Sequence, residues 1–338
     1  MKSFDFCVFI GRFQPFHNAH NILLHEALNQ ADNVIVVLGG FRTASNIKNP
    51  WQAADREKMI RDSLTSDENK RIKFITVRDY LYNDNLWLTD LQTKVDFLTQ
   101  SSDKVALIGH ETDRSSSYLN QFPQWTRIDV KNVDKHPHAT DIRQLYFTHD
   151  AAYKKYVPDG TVKFLEDFKK SESFKNLKEE YDFLRAYRAS WDGASFAPTF
   201  VTVDAVVIKS GHVLAVRRKG NPGKGLIALP GGFLNQFEKI QEGMLRELKE
   251  ETAIKLSKEE LQKAVQDSRV FDHPDRSLRG RTITHAFLVD LKSGALPQVK
   301  GSDDADKAWW MPLSECHDRE EEFFEDHYHI ISYFVNKF

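Results

Sequence analysis

Phe4-Asp5-Phe6-Cys7-Val8-Phe9-Ile10-Gly11-Arg12-Phe13-Gln14-Pro15-Phe16-His17-Asn18-Ala19-His20 decides the fold of the first half of the chain. The apolar run over residues 6–10 is too short for a signal-peptide core or a membrane span, so residues 4–10 read as a buried first strand. Gly11 permits a tight turn and Pro15 stiffens it. A helix follows over residues 18–29, with Ile22, Leu23 and Leu28 at helical spacing. Working outward, residues 34–38 read as a second strand ending at Gly39-Gly40, and residues 54–64 as a helix. Residues 73–77 and 105–108 read as further strands, with residues 90–98 helical between them. Alternating strands and helices predict a parallel sheet with helices on both faces. Ligands in such sheets sit outside the carboxyl ends of the strands, where the Gly11, Gly39 and Gly109 turns fall.

A chain of 338 residues is long for one domain, and the pattern changes part-way along it. Residues 151–188 are charged and helical in character, and Asp192-Gly193-Ala194-Ser195 and Pro198 then break the helix. Residues 199–208 and 212–217 are β-rich and joined by Ser210-Gly211, a hairpin signal, and residues 282–291 and 307–311 read as later strands. The expected division is 1–190, including the closing helices, and 191–338. A formal net charge of -2 provides no global basic field, which argues against a nucleic-acid partner. Cys7 and Cys316, the two cysteines, form neither a disulfide framework nor a zinc cluster. A reducing cytoplasm is the expected setting, with no membrane association.

His17 and His20 are three apart at a helix start and share one face of its first turn. Free amides at that start favour phosphate, and two imidazoles there can donate to phosphate oxygens as charge builds. With Gly11-Arg12 before them, these residues resemble the first motif of the His-x-Gly-His nucleotidyltransferase superfamily. His138-Ala139-Thr140-Asp141-Ile142-Arg143 resembles its second motif, which implies Thr140 as a phosphate ligand and Arg143 as a clamp on the β- and γ-phosphates. The closer resemblance is to the bacterial bifunctional nicotinamide-mononucleotide adenylyltransferase/Nudix family. It is carried by Gly11–His20, by Asn49-Pro50-Trp51 with Arg56, and by Tyr82-Asn83-Asp84 with Trp87. Ile108-Gly109-His110 with Asp113, Ser116-Ser117-Tyr118-Leu119 and Phe122-Pro123-Gln124-Trp125 extend it. The resemblance implies a Rossmann-like domain that joins ATP and nicotinamide mononucleotide, with Gly11, Arg12, Phe13, Gly109 and Asp113 at the substrates. Trp87 is either a stacking surface for the nicotinamide ring or a packing residue. Ala19 and His138 depart from the family's usual Gly and Ser.

The second constellation is Gly232, Glu238 and Arg246-Glu247-Leu248-Lys249-Glu250-Glu251. On a helix Glu247, Glu250 and Glu251 fall at i, i+3 and i+4, while Leu245 and Leu248 point toward a core. Carboxylates sharing a face repel unless a cation sits among them, and hard oxygen ligands select Mg2+ or Mn2+. A bound metal can position and activate water against a pyrophosphate. The run resembles the Nudix box, with Ala253 in place of its late Gly. Leu229-Pro230-Gly231-Gly232-Phe233 resembles the segment leading into that box. Phe271-Asp272, Pro274, Arg276, Arg279-Gly280-Arg281 and Thr284-His285-Ala286-Phe287 resemble the ADP-ribose-cleaving members. The likeness implies an α+β domain whose Arg276 and Arg279 bind the distal phosphate or ribose. Surface charge is the other reading of both arginines. Asp303 and Asp304 are candidates for the general base.

The resemblance implies an enzyme with two sites, one making NAD and pyrophosphate and one splitting ADP-ribose into AMP and ribose 5-phosphate. Two alternatives stay open. One is a transferase with a different acceptor, and the other is a Nudix domain that only senses a nucleotide.

Overall fold

The computed structural model describes residues 2–110, 119–130 and 136–336. Its strands and helices divide into two units, Met1–Lys178 and Glu179–Phe338. In the first unit the strands are β1 (Phe4–Gly11), β2 (Ala31–Phe41), β3 (Ile72–Arg78), β4 (Val105–Gly109) and β5 (Thr126–Asp129). They form one sheet in the order β3-β2-β1-β4-β5, and every neighbouring pair is parallel. The helices are α1 (Asn18–Gln30), α2 (Ala53–Arg61), α3 (Ser66–Lys70), α4 (Asp84–Asp96), α5 (Ala139–Phe147) and α6 (Asp159–Phe168). Val8, Ile10, Ile35, Val37 and Leu107 on the strands pack with Leu91 and Val95 of α4. The chain moves outward from β1 in both directions, to β2 on one side and to β4 on the other. Their carboxyl ends are therefore the place where a ligand cleft opens.

Two local expectations change. Gly39-Gly40 does not end β2, which continues to Phe41 through an irregular step after Leu38. Gly40 takes a positive φ of 66° at that step, a backbone state glycine adopts freely. Helix α4 begins at Asp84, before the expected residue 90, because the Asn83 side chain accepts a hydrogen bond from the Leu86 amide at 3.2 Å. Trp87 thus lies in the first turn of a helix. The 151–188 segment is a 3-10 turn (Ala151–Tyr156), α6 and the long α7 (Glu172–Ala189), and the division between units falls inside α7.

The second unit holds β6 (Thr199–Lys209), β7 (His212–Arg218), β8 (Ile227–Ala228), β9 (Gly231–Phe233), α8 (Ile240–Thr252), α9 (Lys258–Ala264), β10 (Val265–Phe271), β11 (Arg281–Asp290), β12 (Ala305–Pro312), α10 (Leu313–Asp318) and α11 (His327–Val335). The main path is β10-β11-β6-β7-β12, with β8 on β7 and β9 on β6. Only β11 and β6 run parallel among these pairs, so the sheet is mixed. Ser210 and Gly211, with φ of 47° and 74°, make the two-residue turn of the β6–β7 hairpin. Val203, Ala205 and Val207 of β6 pack on Met244, Leu245 and Leu248 of α8. By strand alternation Thr202 and Asp204 occupy the other face. No described helix is long and apolar enough to cross a membrane.

Candidate active sites

The first site lies at the carboxyl end of β1. Arg56 of α2 is 1% exposed, and its guanidinium donates to the carbonyl oxygens of Arg12 (2.8 Å) and Gly39 (2.5 Å), tying the ends of β1 and β2 together. The Gln14 amide donates to Trp51 O at 2.8 Å and accepts from Trp51 N at 3.1 Å. Arg143 of α5 donates to Gln14 O at 2.5 Å and to the Thr140 hydroxyl at 3.2 Å. The turn after β1 is thus pinned from α2 and α5, and the two sequence motifs meet there. Arg12 reaches Asp79 at 3.0 Å.

His17 and His20 stack with ring centroids 3.7 Å apart. Burial pushes the His17 imidazole well below its usual range, and His20, His136, His138 and Arg143 add to the effect. Burial takes His20 down to about 3, against a hydrogen bond to the Pro15 main chain that works the other way. Both rings are therefore neutral near pH 7, which suits donation to an incoming polyphosphate without a standing cation–cation repulsion. His17 Nδ1 is buried without a hydrogen-bond partner. An orphaned polar atom of this kind costs free energy until something pairs with it.

The placement of other expected residues is mixed. Phe13 offers no side chain to a substrate: with φ of 50° its ring turns inward, is 1% exposed, and packs edge-on to Phe9 and His20. Its contribution to the turn is main-chain. Gly11 and Gly109 leave room for neighbouring side chains, since a Cβ on either would lie within 2.7 Å of Phe13 or 2.6 Å of Leu119 respectively. Trp87 is half-buried against the sheet core, 6.1 Å from Phe122. Asp113, with Ser116, Ser117 and Tyr118, lies outside the described residues. Arg56 and Gln14 hold the turn, a role that residue spacing did not disclose.

The second site is built where β9 meets α8. Arg246 donates through Nε and Nη2 to Glu238 (2.8 and 2.9 Å) and through Nη1 to Glu247 and Glu250 (both 2.8 Å). Gly231 N donates to Glu251 at 3.0 Å. A Cβ on Gly232 would stand 2.6 Å from the Glu247 carboxylate and would displace it. Burial, and repulsion from Glu247 and Asp204, push the Glu251 carboxyl up to about 8 against the Gly231 hydrogen bond and Arg218. Burial also raises Glu247. Each of the three carboxylates has one oxygen tied to Arg246 or Gly231, which leaves the second for a cation. Among the described residues no three such side chains are assembled as an ion site as they stand, since Arg246 holds Glu247 and Glu250. Even so, a hard divalent cation is the partner that carboxylates gathered along one helix face fit, with Glu251 buried, Glu247 partly buried and Glu250 exposed.

The loop before β12 caps the end of α8. Lys300 N, Ser302 N and Ser302 Oγ donate to the carbonyl oxygens of Thr252, Glu251 and Glu250, so Asp303 and Asp304 follow directly on that contact. Ala253 keeps the left-handed exit that its missing glycine would favour, with φ of 47° and its amide bonded to Lys249 O at 2.9 Å.

Arg276 requires a correction. It is 4% exposed and forms a two-pronged pair with the fully buried Asp326, at 3.0 and 2.8 Å, so its guanidinium is committed inside the fold. Arg279 stays half-buried, 4.9 Å over the Phe233 ring, with Glu325 at 3.9 Å. Residue spacing also missed the segment 324–327. Phe324 N donates to Ile227 O, Glu325 accepts from Ser277, and the Leu229 amide donates to His327 Nδ1 at 2.8 Å. Arg218, at the end of β7, was missed too, although Arg217-Arg218 closing an apolar strand was a usable signal.

Two family models match the chain. A cytidylyltransferase-like model covers residues 8–155, and a NUDIX domain model covers residues 198–334. The nicotinamide/nicotinic acid mononucleotide adenylyltransferase of Acinetobacter baylyi is 39% identical over 54% of this chain and 95% of its own. The ADP-ribose pyrophosphatase of Methanocaldococcus jannaschii is 37% identical over 34% of this chain and 62% of its own. A crystal structure of a bifunctional NMN adenylyltransferase/ADP ribose pyrophosphatase from Francisella tularensis, complexed with AMP and a manganese ion, is 37% identical. It superposes with a TM-score of 0.93 over 99% of both chains. The chain belongs to this bifunctional adenylyltransferase/pyrophosphatase family. Membership accounts for both sites on one chain.

Proposed function

We propose that the first unit transfers the adenylyl group of ATP to nicotinamide mononucleotide, and that the second hydrolyses ADP-ribose to AMP and ribose 5-phosphate. The observation that carries the reading is the convergence of both motif sets within a fold matching a bifunctional structure over its whole length. In the first reaction the phosphate of nicotinamide mononucleotide attacks the α-phosphorus of ATP, and the bond to pyrophosphate breaks. The nucleophile is already anionic, so no side-chain base is needed and the work is positioning and charge stabilisation. His17 and His20 donate N–H groups to the phosphate oxygens. Arg143, held by Gln14 and Thr140, clamps the departing pyrophosphate, and Arg12 lies beside it. Trp87 is the candidate face for the nicotinamide ring.

In the second reaction water attacks one phosphorus of ADP-ribose and the P–O–P bridge breaks. Glu247, Glu250 and Glu251 would hold Mg2+ or Mn2+, which supplies charge neutralisation and activates water when bound. Arg246 sets the rotamers of Glu247 and Glu250, and Gly231 that of Glu251. Arg279 faces the substrate, and Asp303 or Asp304 is the candidate base. A cytoplasmic setting fits both substrates. Incubation with Mg2+, ATP and nicotinamide mononucleotide, and with ADP-ribose in a parallel tube, tests the reading by chromatography. NAD must vanish with His20→Ala and AMP with Glu250→Gln, each variant keeping the other activity. No NAD or no AMP from the unaltered chain overturns the corresponding half.

A further inference from the structure

Arg218 and Arg279 converge on one aromatic ring. The Arg218 guanidinium lies 4.0 Å from the centre of Phe324, and that of Arg279 lies 5.9 Å from the same centre. The ring itself is fixed: Phe324 N donates to Ile227 O at 2.8 Å, and Gly223 presses against its face so closely that a Cβ there would come within 2.2 Å. Gly223 is held in turn by Glu180, which accepts from its amide at 2.9 Å. Arg218 Nε donates to Pro222 O at 3.0 Å. Arg279 Nε reaches the Ser277 hydroxyl at 3.5 Å.

The charge balance around this ring is uneven. Arg279 has Glu325 at 3.9 Å, whereas Arg218 forms no ion pair among the described residues. Desolvation, and then the nearby Arg279, pull the Arg218 guanidinium down, while Glu325, Glu251 and Asp304 work the other way. Two forked cations on one buried ring, with one carboxylate near Arg279, cost free energy in isolation and gain it when an anion arrives. Paired guanidinium forks match the geometry of phosphate oxygens. Arg279 also overlies Phe233, the residue next to Gly232, which touches Glu247. The cationic pair therefore borders the carboxylate helix.

We infer that Arg218 and Arg279, seated on Phe324, bind one phosphate of the substrate's pyrophosphate bridge and the phosphate monoester that hydrolysis leaves on that side, and that Arg218 is a substrate-binding residue of this site. The inference rests on the ADP-ribose hydrolysis proposed above. In that reaction each product carries one phosphate monoester, so AMP and ribose 5-phosphate are the two sources to separate.

The full chain with Mg2+ and ADP-ribose is compared with Arg218→Met, which keeps the stem on Phe324, and Arg218→Lys, which keeps a charge but not the fork. KM for ADP-ribose is expected to rise about tenfold or more in Arg218→Met, as loss of a charge-assisted hydrogen bond predicts, with the larger part of the effect in KM. Arg218→Lys falls between. Inhibition by AMP or by ribose 5-phosphate must weaken in parallel, and the one that weakens identifies the half of the substrate held there. Unchanged KM and unchanged inhibition by both products overturn the inference, as does a loss confined to kcat. Should Arg218→Met fail to fold, judged by its melting transition, Arg218→Lys decides on the same criteria. Absence of AMP from the unaltered chain is a different result and strikes the proposed function itself.

Discussion

Arg276→Met tests whether that arginine serves the fold or the substrate. Its guanidinium makes two hydrogen bonds to Asp326, with Asp204 at 4.0 Å, and all three side chains are withdrawn from water. Removing one partner of a buried pair leaves the other charge uncompensated, a loss of about 3–5 kcal/mol. Here two carboxylates are left facing each other, so the upper half of that range is expected. For a unit of this size the loss corresponds to a melting shift of roughly 8–20 °C. Asp326→Leu should cost a similar amount. The double variant Arg276→Met/Asp326→Leu should recover most of the loss, because an apolar pair of similar volume removes both desolvation penalties. Scanning calorimetry of the full chain reads the effect, with retained NAD synthesis reporting on the first unit. If Arg276→Met melts within 2 °C of the unaltered chain (~0.5–1 kcal/mol) while KM for ADP-ribose rises tenfold, the buried-pair reasoning is wrong and Arg276 faces the substrate.

Three further outcomes follow from the geometry. Ala253→Gly should raise the melting temperature of the second unit by an amount equivalent to about 1 kcal/mol, since Ala253 holds φ of 47°, and hydrolysis should be unaltered; unchanged or lower stability would show that the left-handed exit carries no strain. Gly232→Ala should lower ADP-ribose hydrolysis by tenfold or more, through displacement of Glu247, while NAD synthesis persists. His20 is held neutral in the folded chain, with its pKa lowered to about 3, so the unfolded chain binds the extra proton first. Its contribution is intact above about pH 6.5 and is lost as pH falls toward 3. His20→Gln should therefore reduce the acid sensitivity of first-unit unfolding by about one proton between pH 6 and pH 4, and parallel slopes for the two chains would refute this.

How much of this was legible in the residues follows a physical line. The parallel sheet was legible because residues 6–10, 34–38 and 105–108 are continuous apolar runs, the signature of strands buried on both faces. Strand β10 was not, because Val265-Gln266-Asp267-Ser268-Arg269-Val270-Phe271 carries few apolar residues and pairs on one side only, with β11. The stacking of His17 on His20 and the meeting of Thr140 with Arg143 follow from helical spacing at positions three apart. The partnership of Arg143 with Gln14 joins residues 129 apart in the sequence, and no spacing announces it.

The same distinction explains Arg276 and Arg218. Both are arginines beside a Nudix-type site, and composition cannot tell a cation that faces a ligand from one that faces a buried carboxylate. What separates them is Asp326, fifty residues away on a segment with no motif of its own. That segment also carries Phe324 beneath Arg218, Glu325 against Ser277, and His327 against the Leu229 amide. The Nudix box supplies the carboxylates through local helical periodicity, whereas the cationic side of the pocket depends on long-range contacts from the segment before α11. A sequence motif therefore reports the carboxylates of the proposed metal side. It leaves the proposed phosphate side, and with it the choice among arginines, to tertiary structure.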